Sequence, residues 1–112
     1  TANGYGLAYL HLTEPLSPKQ VANTPGTLLD VGAHFRPIAT MPIITNGALD
    51  QARGEARLAA NLCDAVAYGI AWIANPDLVE RYRRGAPLNE PDRDTFYQGG
   101  EKGYLDYPTL AA

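Results

Sequence analysis

Three short apolar runs constrain this chain more than any other feature. They are Leu7 to Leu12 (Leu-Ala-Tyr-Leu-His-Leu), Pro42 to Thr45 with Ile43 and Ile44 at its centre, and Ala65 to Tyr68. Each is nearly continuous rather than alternating, the pattern of strands covered on both faces in a parallel sheet. No two of them are joined by a two-residue hairpin signal. Helical patterns lie between them, so the expected class is α/β, built from successive right-handed strand–helix–strand crossovers. Three parallel strands leave two apolar edges unpaired. The 112 residues are therefore expected to be part of a domain and not a complete one.

The first helix is expected over about Thr27 to His34, stopping before Pro37, which disfavours a helical Arg36. A second starts at Asp50 as cap, with Ala52, Ala56, Ala59 and Ala60 on one face for close packing onto a sheet. Gly54 weakens it by about 1 kcal/mol relative to alanine. A third takes Asn75 as its cap and Pro76 as its first helical residue, with Asp77 and Glu80 near the positive end. Arg81, Arg83 and Arg84 fill its last turn and read as a solvated cationic end. Gly85 closes it, Pro87 prevents continuation, and Leu78 and Tyr82 form its buried edge. Glu14 to Gly26 and Asn89 to Pro108 read as loops, the second carrying Phe96, Tyr97, Tyr104 and Tyr107.

Several functions are excluded early. A net charge of -3 gives no basic face for nucleic acid. No run is apolar over the length needed to span a membrane. The single cysteine, Cys63, rules out an intrachain disulfide and a zinc site of cysteine pairs. It is expected to pack in the interior, and a reducing, cytoplasmic setting fits it. His11 falls in a strand and His34 in a helix, with nothing to bring them together, so no metal site is expected. No histidine–carboxylate–nucleophile set, Walker A sequence or G-x-G-x-x-G is present.

One pattern points to chemistry. Asn46-Gly47-Ala48 follows the second run and precedes the helix start at Asp50. Gly69-Ile70 follows the third and precedes the apolar turn Ala71-Trp72-Ile73. In a (β/α)8 barrel, the loops after the last two strands commonly build a phosphate site from backbone N–H groups and a short extra helix. Glycine at each junction lets the backbone approach an anion closely. A plain pair of turns is the other reading of the same residues.

Segments in order along nearly the whole chain carry a family resemblance. Gly6-Leu-Ala-Tyr-Leu-His-Leu-Thr-Glu14 is similar to the sixth strand of old yellow enzymes, Ile43 to Ala48 to the seventh strand with its phosphate loop, and Asp64-Ala-Val-Ala-Tyr-Gly69 to the eighth. Ile73-Ala-Asn-Pro-Asp-Leu-Val-Glu-Arg81 and Gly85-Ala-Pro-Leu-Asn89 form the most specific run. Pro91-Asp-Arg-Asp-Thr-Phe-Tyr97 and Gly103-Tyr-Leu-Asp-Tyr-Pro108 complete it. The chain thus resembles the C-terminal portion of a (β/α)8 TIM barrel, about strands 6–8 with their helices.

The resemblance implies an FMN-dependent ene-reductase that uses NAD(P)H to reduce activated C=C bonds, with the cofactor supplying the redox chemistry. It implies a partner as well: the N-terminal part of the same barrel, as a separate or missing segment. The family's catalytic residues lie on earlier strands, so none is expected here. The matching cofactor-binding positions are Asn46, Gly47, Ala48, Gly69 and Ile70, and Tyr97 matches a substrate-pocket tyrosine.

Two positions depart from the pattern. Family members typically carry arginine at position 70, reaching the FMN phosphate, and a hydrogen bond to a charged group is worth about 1.5–3 kcal/mol. The residues after the seventh strand are changed to Leu49-Asp50. Ile70 leaves open a second reading, a cofactor-poor barrel of the same family acting as an isomerase or binding scaffold.

Overall fold

The computed structural model describes every residue except 16–25, 27, 29, 99 and 112. The chain divides into two compact units, Thr1–Ala67 and Tyr68–Ala112.

The first unit holds the sheet. Strands β1 (Leu10–Thr13), β2 (Ile43–Asn46) and β3 (Ala65–Val66) alternate with helices α1 (Val31–Phe35) and α2 (Gln51–Ala59). The strand order is β1-β2-β3 and both pairings are parallel. The expected crossover arrangement is what forms. The first strand begins three residues later than the apolar run suggested, at Leu10, whose N–H reaches the Pro42 carbonyl at 2.8 Å. Pro42 has no N–H to return to the chain upstream. The ladder starts there, and Leu7 and Tyr9 stay exposed. The third strand is cut to two residues, Ala65 and Val66, although the Ala67 N–H still reaches the Thr45 carbonyl at 2.8 Å.

The core of this unit is small: Leu12, Ile43 and Cys63, with Leu10, Val31, Phe35, Ala39 and Val66 packed against it. Burial raises the pKa of the Cys63 thiol, in line with a packing role. Asp64 ties the bottom of the sheet together. Its Oδ2 accepts the Ile43 N–H at 2.8 Å and Arg36 Nη1 at 2.5 Å. Those two bonds, the backbone one first, lower its pKa.

Both helices correct an expectation. The start of α1 is set by Asp30, whose Oδ1 accepts the Ala33 N–H at 2.8 Å. Residues 27 and 29 of the expected start lie outside the described residues. Arg36 is helical after all, with φ -51° and ψ -45°. Its N–H bond to the Gly32 carbonyl at 2.8 Å outweighs the steric preference that Pro37 imposes.

In α2, Asp50 caps as expected, Oδ1 accepting the Arg53 N–H at 2.8 Å. The alanine face does not pack on the sheet: Ala52, Ala56, Ala59 and Ala60 are all exposed. Gly54 is the buried residue of this helix, and Arg57, one turn on, points inward with it.

That inward arginine meets an unexpected partner. Glu14, one residue past β1, is 6% exposed. Its Oε2 accepts the Val31 N–H and its Oε1 the Gly32 N–H, each at 2.8 Å. Arg57 Nη2 lies 2.5 Å from Oε1 and 2.8 Å from Asp30 Oδ1. The Thr45 hydroxyl completes the shell at 3.3 Å. The Asp30 pKa falls, chiefly through its hydrogen bond from Arg57. Burial acts to lower the Arg57 pKa, but the bond to Asp30 and the charges of Glu14 and Asp30 outweigh it and the net shift is upward.

The second unit contains α3 (Ile70–Ala74), α4 (Leu78–Arg84) and a 3-10 turn at Arg93–Thr95. Asn75 is not the side-chain cap of α4. It ends α3 instead, its Nδ2 donating to the Ala71 carbonyl at 2.9 Å and its Oδ1 accepting the Asn89 N–H at 2.7 Å. Asp77 takes the N-cap position, and the helix starts at Leu78, two residues after the expected start at Pro76. Gly85 closes α4 in the left-handed region, with Ala86 N–H reaching back to the Arg81 carbonyl. Leu78 is fully buried, and Tyr82 stacks edge-on with Tyr68 at 5.4 Å.

The cationic helix end is solvated only in part. Arg83 and Arg84 are exposed and pair with Glu80. Arg81 is 4% exposed. Its Nε bonds Asp77 Oδ1 at 2.7 Å, Nη1 the Pro87 carbonyl at 2.6 Å and Nη2 the Pro108 carbonyl at 2.7 Å. The helix-dipole argument placed all three arginines in water, but one of them satisfies two loop carbonyls that would otherwise lack donors. Asp77 Oδ2 also accepts the Leu110 N–H at 2.7 Å. That bond and Arg81 depress the Asp77 pKa.

In the complete protein, Glu14→Ala leaves two backbone N–H groups and the Arg57 guanidinium without their shared acceptor. A loss of about 3–5 kcal/mol is expected, the cost of breaking one side of a buried ion pair. The shift in the urea midpoint measures it; a loss below about 1 kcal/mol, the range of surface pairs, would contradict the assignment.

Candidate functional site

The C-terminal end of β2 is shaped by the Glu14 shell beneath it. Glu14 N–H donates to the Asn46 carbonyl at 2.8 Å, extending the ladder one residue past β1. The chain then turns at Gly47, with φ 119°, and Ala48, with φ 46°. A Cβ on Gly47 would lie 2.5 Å from the Glu14 carbonyl oxygen and 3.1 Å from its Cβ. Only glycine satisfies both the backbone angle and the close approach. Two consecutive left-handed residues, one of them an alanine, are costly for a plain turn and mark this junction as constrained.

The turn leaves hydrogen-bonding capacity unused. Among the described residues, the N–H groups of Gly47 and Ala48 have no acceptor. Asn46 Oδ1 is buried without a partner. The oxygen and nitrogen of that amide are interchangeable by a flip, so the position can equally present two N–H donors. These are donors gathered at the C-terminal end of a parallel strand, where α/β sheets bind anionic ligands. Asp50 does not spoil this. Its carboxylate is turned to the α2 N-terminus, on the Arg53 N–H and, at 3.4 Å, Arg53 Nε.

The other junction lies in the second unit. Gly69 caps α3 with no side-chain hydrogen bond, and open space surrounds the place where its Cβ would be. Ile70 opens the helix and is 40% exposed. It brings a backbone N–H and no charge. Tyr97 is also in this unit, 79% exposed, at φ 59°. Its ring meets Phe96 edge-on at 6.1 Å.

His11 and His34 are exposed, and the His34 ring packs edge-on against Phe35. Among the described residues no group of three His, Cys, Asp or Glu side chains could hold a metal ion. No helix among them is long and apolar enough to cross a membrane. An apolar cavity of about 360 Å³ lies at the opposite, N-terminal ends of β1 and β2, lined by Leu10, Phe35, Ile38, Ala39 and Met41 among others. It has no polar side chain suited to chemistry, and barrel active sites lie at the other face.

Sequence reasoning missed Glu14, Arg57 and Arg81. For Arg81 a signal existed: Asp77 stands four residues before it, the spacing of a helical ion pair. Glu14 and Arg57 are separated by 43 positions, and nothing local pairs them.

No family model matches the chain. Among curated relatives, 12-oxophytodienoate reductase 2 of Arabidopsis thaliana is 36% identical over 111 residues, covering 96% of this chain and 29% of the relative. Among solved structures, morphinone reductase in complex with tetrahydroNAD is 45% identical with a TM-score of 0.79, covering 97% of this chain and 28% of that one. The old yellow enzyme from Trypanosoma cruzi is 37% identical with a TM-score of 0.80, covering 97% of this chain and 27% of that one. The chain therefore spans under a third of the length of each of these three proteins. Matched along nearly all of its length in both sequence and structure, the chain belongs to the old yellow enzyme family and forms a piece of its (β/α)8 barrel.

Proposed function

We propose that the complete protein is an FMN-dependent ene-reductase that reduces activated C=C bonds with NAD(P)H, and that this chain supplies the phosphate end of its cofactor site. The observation that carries the reading is the turn at Asn46, Gly47 and Ala48, with backbone donors unpaired among the described residues at the end of a parallel strand. Those donors fit a phosphate: they are fixed by the backbone, positively polarised and spaced along one bend.

In this reading Gly47 and Ala48 N–H groups bind phosphate oxygens, and the Asn46 side chain adds a donor in its flipped orientation. Gly69 and the Ile70 N–H at the start of α3 are, in this reading, the phosphate-binding positions of the second unit, and Tyr97 lines the substrate pocket. FMN, when bound, would supply the redox chemistry between NAD(P)H and the alkene. The groups that hold the alkene oxygen and deliver its proton belong to the N-terminal part of the barrel, with which these strands assemble. A cytoplasmic location belongs to the same reading, supported by the single free thiol of Cys63.

A cofactor-poor barrel acting as isomerase or scaffold is the second reading, and Ile70 favours it. The reductase names of the relatives described above favour the first. The two separate cleanly. The complete protein, purified and reconstituted, should show flavin absorbance that bleaches under NAD(P)H and returns on addition of a cyclic enone. A colourless protein that takes up no FMN would remove the first reading.

Ile70 gives a second expectation. Ile70→Arg in the complete protein should tighten FMN by about 1.5–3 kcal/mol, roughly ten- to a hundred-fold in dissociation constant, the worth of one charged hydrogen bond. Unchanged or weaker binding would mean that the phosphate is not held at this junction.

A further inference from the structure

The segment after α4 returns to its own starting point. Arg81 Nη1 holds the Pro87 carbonyl and Nη2 the Pro108 carbonyl, so one buried guanidinium fastens both ends. Asn89 Nδ2 adds bonds to the Pro108 and Ala74 carbonyls at 2.8 and 2.7 Å. The described residues between, 88–98 and 100–107, belong to a loop closed at its base by these bonds.

The loop is tied internally too. Tyr107 hydroxyl accepts the Asp92 N–H at 2.8 Å. Gly103, buried and at φ 83°, packs so tightly on Thr95 that any Cβ there would overlap the Thr95 side chain. This contact brings residue 104 opposite residue 97. The Tyr104 hydroxyl then accepts the Tyr97 N–H at 2.9 Å.

That bond falls on a residue that needs it. Tyr97 has φ 59°, a left-handed conformation that is a genuine outlier for a bulky side chain and costs on the order of a kcal/mol or more. Within this chain its ring is 79% exposed, so burial inside the loop does not set its backbone. A hydrogen bond to its backbone N–H can hold that state instead. Neighbouring Tyr104 is the group placed to do so.

We propose that Tyr104 is a positioning residue for Tyr97: its hydroxyl locks the Tyr97 backbone in the left-handed state, on a loop whose base Arg81 fastens, and so sets the direction in which the Tyr97 ring meets substrate. Its consequence for substrate rests on the ene-reductase reading above; the backbone lock itself does not.

The test uses Tyr104→Phe, Tyr97→Ala and the double variant of the complete protein. Tyr104→Phe removes one oxygen and keeps the ring, so the loop keeps its packing. Two quantities are read: amide hydrogen exchange at Tyr97, and KM for a cyclic enone at saturating NAD(P)H. Exchange at Tyr97 should quicken about five-fold on loss of a single ordinary hydrogen bond. KM should rise by a similar factor in Tyr104→Phe and show no further rise when the same change is made beside Tyr97→Ala, because Tyr104 acts through Tyr97. Unaltered exchange overturns the proposal. So does an equal KM shift in both backgrounds, which would make Tyr104 a substrate contact in its own right. So does a Tyr97→Ala variant whose KM matches the parent. A protein that holds no flavin overturns the underlying reading instead, and the exchange measurement then still decides the backbone lock.

Discussion

A single buried carboxylate holds the first unit in register. Glu14 leaves β1 and enters the interior, where it gathers the start of α1, the Thr45 hydroxyl of β2 and Arg57 of α2. Burying a carboxylate costs several kcal/mol unless it is fully paired. Here both oxygens are occupied, by two backbone N–H groups, a hydroxyl and a guanidinium that Asp30 also shares. The partners come from three elements, α1, β2 and α2, so those elements are fixed relative to one another by one group. The hydrophobic core cluster, whose buried members are Leu12, Ile43 and Cys63, could not do that alone. The turn at Gly47 lies directly on the Glu14 backbone, and its left-handed shape follows from that contact.

The second unit uses the opposite charge in the same way. Arg81 is buried with one carboxylate partner and two carbonyl partners. A planar, always-charged fork of donors suits this role, and lysine could not reach three acceptors in one plane. Asp77 is held on its other oxygen by the Leu110 N–H, so α4 carries the chain end as well as the aromatic loop. In both units a buried ion organises backbone that lacks a sheet or helix partner of its own.

Parallel strands were legible because apolar runs without hairpin turns admit few alternatives, and the strand–helix order follows from them. Strand ends were less so. The start of β1 depends on Pro42, 32 residues away, whose missing N–H ends the ladder. The face of α2 was misread because alanine serves helix propensity and burial equally well, and only the buried Gly54 shows which side is inward. Asn75 and Arg81 were misassigned for a shared reason. Each has a good local role by helix-end rules, and each was taken by a loop that returns from beyond residue 85. At the site, the glycine after β2 was readable as a close-approach residue. That it approaches Glu14 was not, since the pairing of Glu14 with α1 and Arg57 is entirely long-range.

The phosphate assignment draws these threads together: a family barrel, a strand-end turn shaped by Glu14, backbone donors with no acceptor among the described residues, and no arginine at position 70. Its most direct test compares FMN with riboflavin, which differs only in lacking the phosphate, in dissociation constants for the complete protein. If the backbone at Gly47 and Ala48 holds the phosphate, FMN should bind at least about a hundred-fold more tightly, the worth of one or two charge-assisted hydrogen bonds. Equal affinities for the two flavins would contradict the account.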